Sequence, residues 1–403
     1  MNKLRSSSQL LWAFIIILRF AICNMPIASV LTDSIINIGS FALLFLLCVF
    51  QNKNELLNKL EILFPIFLFW LLPVIHTPSS LLNQTYNLFQ ELLWPLICLT
   101  ILEKFDRRVI KLILLGIILV YGITAVTTYL GCKQFPNASR DLATGMFDDE
   151  GQFTLYKMKN IGGFSFIYSI VLTLPIIIFL FRFHKCNRLL PIIIYALILT
   201  LCITTEYTTA VIIAIVSLAV FLLPKQFSSS KLNILFIEMC VLVYILTVLP
   251  ISFYHSIAST FNSEQIAERV SDLGHIVRGD GITEGTDASE RMAAYQISLN
   301  SFISKPLIGS NISGGHSFIL DILAKYGIIG LIILIISFRR MFIYFIKRYY
   351  GTSIYGYLQI VFILNLFLCI INTQNYTTIL SFVIPIICFV FDDEKLTLIE
   401  DGQ

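Results

Sequence analysis

Residues Thr283–Leu331 read TEGTDASERMAAYQISLNSFISKPLIGSNISGGHSFILDILAKYGIIGL and end the longest polar stretch of an otherwise apolar chain. The segment contains Arg291 and a Lys-Pro-Leu-Ile-Gly turn over Lys305–Gly309. His316 stands where the chain becomes apolar again. A polar segment bounded in this way is predicted to lie outside a membrane, presented by the apolar scaffold that the rest of the chain forms.

The composition on either side of this segment predicts that scaffold. The chain has 403 residues, of which 57% are apolar and 13% charged, with a mean hydropathy of +0.83. A soluble domain carries about 25% charged residues. The apolar runs are continuous and exceed the roughly 10-residue alternating segments of an outer-membrane barrel. We therefore predict an all-α polytopic membrane protein, and the small net charge of +3 predicts no nucleic-acid partner.

Twelve apolar segments come near the roughly 20 residues that a helix needs to cross a bilayer. They cover residues 10–28, 35–50, 61–76, 87–102, 109–130, 161–181, 191–204, 209–223, 232–250, 317–338, 354–372 and 377–391. The seventh and eighth are short and flank Thr204–Tyr207, so they form either a hairpin or one broken segment.

Basic residues decide between these two alternatives and orient the chain. Arg182, Lys185 and Arg188 precede the seventh span, and Lys225 and Lys231 follow the eighth. Lys and Arg mark the cytoplasmic side of a membrane, so an even number of spans joins these flanks. The sequence therefore predicts a hairpin with Glu206 at its outer tip. The same rule, applied to the whole chain, places both termini in the cytoplasm.

Two large outer loops follow from this topology within one membrane domain, 1–403: residues 131–160 and residues 251–316. The second contains apolar residues at helical spacing, namely Met292, Tyr295, Ile297, Leu299 and Phe302. They predict an interfacial helix near 289–303, with Ser289 as its N-cap and Pro306 and Gly309 after its end.

Motifs typical of soluble enzymes are absent from the sequence, which has no phosphate-binding loop, HExxH, CxxC or GxSxG. The spacing of His255, His275 and His316 fits no metal-ligand pattern. We predict no metal and no cofactor. Asp321 and Lys325 are spaced to form an i,i+4 ion pair.

The outer segment resembles the C-terminal signature of bacterial O-antigen polymerases and ligases. The resemblance is carried by Arg291, Tyr295, the Lys305–Gly309 turn, His316–Asp321 and Tyr326–Leu331. The sequence departs from the family in two places. Thr205-Glu206-Tyr207 stands where many members have a Ser-Arg pair, and Ser317 stands where an asparagine commonly follows the histidine.

The resemblance implies a GT-C-like glycosyltransferase in the bacterial cytoplasmic (inner) membrane, an O-antigen polymerase of lipopolysaccharide or other polysaccharide biosynthesis. Such an enzyme joins undecaprenyl-diphosphate-linked repeat units at the outer face, beside a flippase and a chain-length regulator of the same pathway. Arg291 would hold the diphosphate, because guanidinium binds it bidentately. His316 would act as the base. Residues predicted to contact diphosphate or glycan are Arg278, Arg269, Arg140, Tyr295 and Glu206.

Two alternatives to a polymerase stay open at this level. An O-antigen ligase would transfer the finished glycan to lipid A core, and the sequence barely separates the two enzymes. A polysaccharide-unit flippase or other transporter would be expected to show internal repeats and broken, charged helices at mid-membrane. No repeat is visible, charges inside the predicted spans are few, and the large outer loops favour chemistry outside the membrane.

Overall fold

The computed structural model shows a chain built from helices. It describes residues 6–32, 34–51, 60–77, 81–145, 147, 150–183, 189–219, 252, 256, 259, 287–347, 349–350, 352, 354–372 and 378–392. Within these ranges the backbone forms helices and turns, with no strand.

The helices are given in chain order, with labels used below. They are α1 Ser6–Asn24, α2 Ala28–Leu31, α3 Ser34–Gln51, α4 Leu60–Leu71, α5 Pro73–His76, α6 Leu81–Lys104, α7 Arg107–Gln134, α8 Ala138–Thr144, α9 Glu150–Met158, α10 Phe164–Val171, α11 Leu174–Phe183, α12 Leu189–Thr204, α13 Thr208–Ala219, α14 Asp287–Ser304, α15 Phe318–Lys347, α16 Ile354–Ile371 and, after a π-helical turn at Ile379–Val383, α17 Ile384–Asp392.

Four of the described helical segments are long and apolar enough to cross a membrane, which is the fold of a helical membrane protein. They are Arg107–Gln134, Phe164–Arg182, Phe318–Lys347 and Ile354–Ile371. Six shorter apolar helices of 10–17 residues coincide with further predicted spans. The predicted span 87–102 falls within α6, and span 232–250 lies outside the described residues. Within the described residues the structure thus gives four helices of membrane length, and the twelve spans stay a prediction.

The chain divides into two compact units. The first unit comprises Met1–Thr173, Ile332–Tyr349 and Tyr376–Gln403. The second unit comprises Leu174–Leu331 and Tyr350–Asn375. The predicted outer segment from Arg291 to Leu331 belongs entirely to the second unit, so that unit contains the candidate site.

The core of the first unit is aromatic. Phe20 of α1 packs edge-on against Trp94 of α6 and Tyr121 of α7, with ring centroids 5.7 and 5.3 Å apart. Phe382 of the π-helical turn closes the cluster at 4.8 Å from Trp94. Edge-to-face contacts of this kind stabilise a core beyond the area that they bury, so they fix α1, α6 and α7 around a common centre.

Arg19 is a buried cation beside this core. It is 1% exposed. Its Nη1 donates to the Asn37 carbonyl at 3.1 Å and also to the Asn37 side chain, and its guanidinium lies 5.6 Å from the centroid of Phe41. Charged side chains inside a membrane helix are costly unless they face other protein groups. Arg19 follows that rule by turning from α1 toward α3.

The predicted first outer loop is folded in the structure. α8 and α9 pack around a small core of Cys132, Ala138, Tyr156 and Ile161. Asn160 closes the loop with a left-handed φ of +55°, a conformation that asparagine tolerates better than most residues. Its carbonyl accepts from Thr127 Oγ1 at 2.8 Å, and its Oδ1 accepts from the Ile27 amide at 3.3 Å.

In the second unit, α12 and α13 form the predicted hairpin. The Tyr195 hydroxyl donates to the Ala214 carbonyl at 2.5 Å across it. Glu206 lies at the turn with φ +59°. α11 packs on this hairpin and on α16, where Arg182 Nη1 donates to the Tyr357 hydroxyl at 3.1 Å. The structure therefore shows the predicted hairpin of two helices and not one broken segment.

Candidate functional site

The segment that carries the family resemblance folds as a helix, a loop and a second helix. α14 covers Asp287–Ser304, residues 305–317 form the loop, and α15 begins at Phe318. α14 starts two residues before the predicted N-cap Ser289 and ends at Ser304, ahead of Pro306, as the sequence predicts.

The Lys305–Gly309 turn docks into a break in α15. Gly327 has φ +62° and ψ −161°, a conformation that is essentially restricted to glycine. The break frees the amides of Ile328 and Ile329 from their helical partners. Those amides donate instead to the carbonyls of Pro306 at 2.9 Å and Leu307 at 3.3 Å. The turn therefore replaces the hydrogen bonds that the helix loses.

Gly309 and Ser310 complete the same junction from the other side. A Cβ on Gly309, whose φ is +75°, would lie 2.2 Å from the Lys325 carbonyl carbon. The Ser310 amide donates at 2.8 Å to the carbonyl of Ala324, which the break also leaves without its helical donor. The Ser301 hydroxyl of α14 forms a hydrogen bond with the Ser310 hydroxyl and donates to the Ile312 carbonyl at 2.7 Å. The two glycines of the signature are thus needed for close backbone contact.

Replacement of Gly327 by alanine is expected to unfold this junction. The conformation alone costs about 1–3 kcal/mol for a residue other than glycine, and a Cβ would also lie 2.3 Å from the Leu307 carbonyl oxygen. We expect a clearly lower melting temperature for the purified protein. The control is Gly122→Ala in α7, where a Cβ meets nothing within 4 Å and alanine favours the helix by about 1 kcal/mol. Equal melting temperatures for the two variants would contradict the expected role of Gly327.

A buried carboxylate organises the loop between the turn and α15. Asp321 is 8% exposed. Its Oδ1 accepts from the Ser298 hydroxyl at 2.9 Å and from the Gly315 amide at 3.1 Å. The Ser298 oxygen accepts in turn from the Gly314 amide at 2.8 Å. We call Asp321, Ser298 and these two amides the Asp321 clamp.

The start of α15 is fixed by conventional capping. Ser317 is its N-cap, with an oxygen that accepts from the Leu320 amide at 3.3 Å. The Phe318 amide donates to the Asn372 carbonyl at 2.7 Å. His316 therefore lies between two anchored points of the backbone, the Gly315 amide and the helix cap. Its side chain is half-buried, and no described residue forms a hydrogen bond with the imidazole.

Arg291 lies on the face of α14 that turns toward the clamp. Ala294 and Ser298 follow it at helical spacing. Gly314 approaches Ala294 so closely that a Cβ would lie 2.0 Å from its carbonyl oxygen. Tyr295 lies within electrostatic range of both Arg291 and Asp321. Arg291 and His316 thus belong to two chain segments that one set of contacts joins.

Tyr295 keeps its proton in this surrounding. Burial raises the pKa of its hydroxyl most strongly, the Arg291 charge acts in the opposite direction, and the Asp321 charge adds to the increase. The pKa of Tyr295 is therefore above its usual value, and the phenol is a hydrogen-bond donor at neutral pH.

α14 presents an exposed apolar edge away from the clamp. Met292, Leu299 and Ile303 are 44%, 47% and 64% exposed and share one side of the helix. Leu307 and Ile308 of the docked turn continue the apolar surface at 65% and 52%. Tyr295 and Phe302, which the sequence assigns to the same apolar set, follow Met292 and Leu299 by three residues and are half-buried beside this edge. Ile297 of the same set is 49% exposed, so three of the five predicted apolar residues are exposed.

The remaining predicted site residues divide into two groups. Arg140 is in α8 of the first unit and Glu206 is at the hairpin turn of the second. Arg269 and Arg278 lie outside the described residues. Among the described residues of the predicted set, Tyr295 interacts electrostatically with Arg291 and Asp321, and His316 directly follows Gly315 of the Asp321 clamp.

The sequence did not single out Asp321 or Ser298 as site residues. Its interpretation of Asp321 was an i,i+4 pair with Lys325, whereas the carboxylate binds Ser298 and Gly315. An acidic residue in the first turn of a helix, following a Gly-Gly pair, was the available signal, because first-turn carboxylates can reach back to amides before the helix.

Within the described ranges, no group of three or more His, Cys, Asp or Glu side chains is placed to hold a metal ion. The ionisable side chains in or beside the described site are those of Arg291, Tyr295, His316 and Asp321. No protein-family model matches the chain, and no curated protein matches it.

Proposed function

We propose that this protein polymerises lipid-linked oligosaccharides as a bacterial O-antigen or capsular polysaccharide polymerase. In this proposal it is a GT-C-like enzyme of the cytoplasmic membrane, with twelve crossing helices, both termini in the cytoplasm and residues 287–317 outside. The observation that carries it is the joining of the Arg291 and His316 segments through the Asp321 clamp. The family resemblance of those segments supports it.

The geometry of α14 suits a substrate whose reacting groups lie at a lipid surface. The exposed edge of Met292, Leu299 and Ile303 is of the kind that inserts into an interface. Arg291 shares a face of α14 with Ala294 and Ser298, which contact the loop before His316. α15, which begins two residues after His316, is one of the membrane-length helices. An undecaprenyl diphosphate would place its phosphates at this level, because its hydrocarbon chain remains in the bilayer.

The proposed reaction transfers the growing glycan from one carrier lipid to a new repeat unit. The acceptor hydroxyl attacks the anomeric carbon of the donor, a C–O bond forms, and the bond from that carbon to the diphosphate oxygen breaks. His316 takes the proton of the hydroxyl. Arg291 binds the diphosphate as negative charge gathers on it. No nucleotide sugar is needed, since the diphosphate linkage is already activated.

The test is deletion of the gene, followed by separation of the surface glycan on a gel. Loss of a polymerase leaves a single repeat unit on the acceptor and abolishes the ladder of longer chains. Complementation with the full chain should restore the ladder. In a capsule-producing host the same comparison applies to the capsular polymer.

Two other patterns would overturn the proposal. Loss of a ligase leaves no repeat units on the acceptor and lets lipid-linked polymer accumulate. Loss of a flippase keeps single lipid-linked units on the cytoplasmic side. An unchanged ladder would also contradict it.

A further inference from the structure

We infer that Asp321 is a positioning residue, whose carboxylate holds the Gly314-Gly315-His316 backbone so that the imidazole can reach the acceptor hydroxyl. The inference rests on the proposed function for the identity of the reaction. It adds a residue that acts through His316 and not on the substrate itself, and it assigns Ser298 as the second member of the clamp.

The first step is the hydrogen-bond arrangement. One Asp321 oxygen accepts two donors, Ser298 Oγ at 2.9 Å and the Gly315 amide at 3.1 Å. The Ser298 hydroxyl oxygen also accepts a hydrogen bond from the Gly314 amide at 2.8 Å. Two consecutive amides immediately before His316 are therefore tied to one buried carboxylate. Hydrogen bonds to an ionised acceptor are about twice as strong as neutral ones.

The second step is the backbone that these bonds hold. Gly315 has φ +82°, and Gly314 lies against the backbone of Ala294 with no room for a Cβ. An unrestrained Gly-Gly pair would sample many conformations. The clamp restricts it on one side of His316, and the Ser317 cap with the Phe318–Asn372 hydrogen bond restricts the chain on the other.

The third step is the burial of the clamp. Asp321 and Ser298 are 8% and 1% exposed, whereas His316 is half-buried. Asp321 lies in the first turn of α15, where the helix dipole has its positive end. Asp321 thus holds the loop through buried hydrogen bonds, while the imidazole is the group that a substrate would contact.

The experiment distinguishes the role of Asp321 as a hydrogen-bond acceptor from the role of its negative charge. Asp321→Asn retains an Oδ1 that can accept from Ser298 and Gly315, and Asp321→Leu retains neither acceptor nor charge. Ser298→Ala removes the link to Gly314. Each full-length variant is purified in lipid nanodiscs and supplied with single-repeat lipid-linked units extracted from the deletion strain.

We expect Asp321→Asn to extend chains at a rate within about fivefold of wild type, because the neutral hydrogen bonds are weaker but remain. Asp321→Leu should lose about 10²-fold, the cost of misplacing a reacting group by about 1 Å. The loss should appear in kcat more than in KM, since the substrate contacts are unchanged. Ser298→Ala should lie between the two, and the pH profile of Asp321→Asn should keep the wild-type shape.

Amide hydrogen exchange provides a readout that does not depend on catalysis. Peptides covering residues 310–317 should exchange faster in Asp321→Leu than in wild type and stay protected in Asp321→Asn. Peptides from α12 and α13 of the second unit should be equal in all variants, which reports an intact fold of that unit. If wild-type protein extends no chains, the proposed function fails, while the exchange data still decide whether the clamp exists.

Three outcomes would overturn the inference. An Asp321→Asn variant as inactive as Asp321→Leu would show that the charge of Asp321 takes part in the chemistry. Wild-type rates in Asp321→Leu would show that the clamp does not position His316. Unchanged exchange over residues 310–317 in Asp321→Leu would show that the carboxylate does not hold the loop.

Discussion

Replacement of Arg291 by alanine is expected to slow chain extension by about 10²–10³-fold, the usual cost of removing one group that stabilises charge in the transition state. In cells the ladder of long glycans should collapse to single repeat units. The amount of protein in the membrane should stay normal, because Arg291 is only half-buried and the clamp that holds the loop does not use it.

The reason for so large an effect is the leaving group. A diphosphate gathers negative charge as the anomeric bond breaks, and a planar guanidinium meets two of its oxygens at once. Arg291→Lys keeps the charge but loses the bidentate geometry, so its rate should fall between those of alanine and wild type. Partial recovery by lysine would separate an electrostatic role of Arg291 from a purely structural one.

A matched control is available in the exposed Arg339 of α15. Arg339→Ala removes the same side chain from a position outside the candidate site and should leave the ladder unchanged. The measurements are the glycan ladder, the initial rate with extracted lipid-linked units and an immunoblot of the membrane fraction. A full-length ladder from Arg291→Ala, at a normal protein level, would remove Arg291 from the site.

The second large effect is expected for His316. His316→Ala should reduce the rate of extension by about 10²–10⁴-fold, the range that a positioned acid or base contributes. The physical reason is that the acceptor hydroxyl must lose a proton as it attacks. The His316 imidazole forms no hydrogen bond with any described residue, so its nitrogen is available to take that proton. Substrate binding should change less than the rate, because the diphosphate contact to Arg291 remains.

His316→Asn distinguishes proton transfer from orientation of the hydroxyl. An asparagine can accept a hydrogen bond from the hydroxyl but cannot take up its proton at neutral pH. If His316 is the base, His316→Asn should be as slow as His316→Ala. Activity near wild type in His316→Asn would instead assign the residue to orientation. His76→Ala in the first unit is the control for loss of a histidine, and it should extend chains normally.

The two predictions are linked by the Asp321 clamp. In the proposed reaction Arg291 would act from α14 and His316 from the loop. The contacts of Ala294 with Gly314 and of Ser298 with Asp321 join these elements. A variant that loosens the clamp should therefore weaken the His316 step and leave the Arg291 step in place. The kcat-to-KM comparison for Asp321→Leu measures this separation.

Much of the local structure around the site could be predicted from sequence. Pro306 stops α14 because proline cannot continue a helix, and Ser317 caps α15 because its hydroxyl reaches the third amide of the helix. Glu206 lies at the turn of the predicted hairpin, since basic residues on both flanks require an even number of crossings. These features depend on neighbours in sequence and on charge counts.

Other features of the site could not be predicted in the same way. The pattern Tyr326–Leu331 indicates a continuous helix, yet Gly327 breaks it and the turn at Pro306 and Leu307 supplies the missing acceptors. Asp321 has Lys325 at the spacing of an ion pair, yet it binds Ser298, 23 residues earlier in the chain. Helix propensity and apolar periodicity describe a helix in isolation. Neither carries information on hydrogen-bond partners that come from another segment of the chain.

The sequence by itself determined that this protein is helical and suited to a membrane, because apolar length and the distribution of basic residues are properties of single segments. It also determined which side chains can supply a guanidinium and an imidazole next to the membrane-length helix that begins at Phe318. Only the tertiary structure decided that the docked turn fits a helix break at Gly327, and that a buried carboxylate holds the loop before His316. The physical reason is that backbone amides and carbonyls freed by a break or a glycine pair must find partners, and in this chain those partners are distant in sequence and meet only on folding.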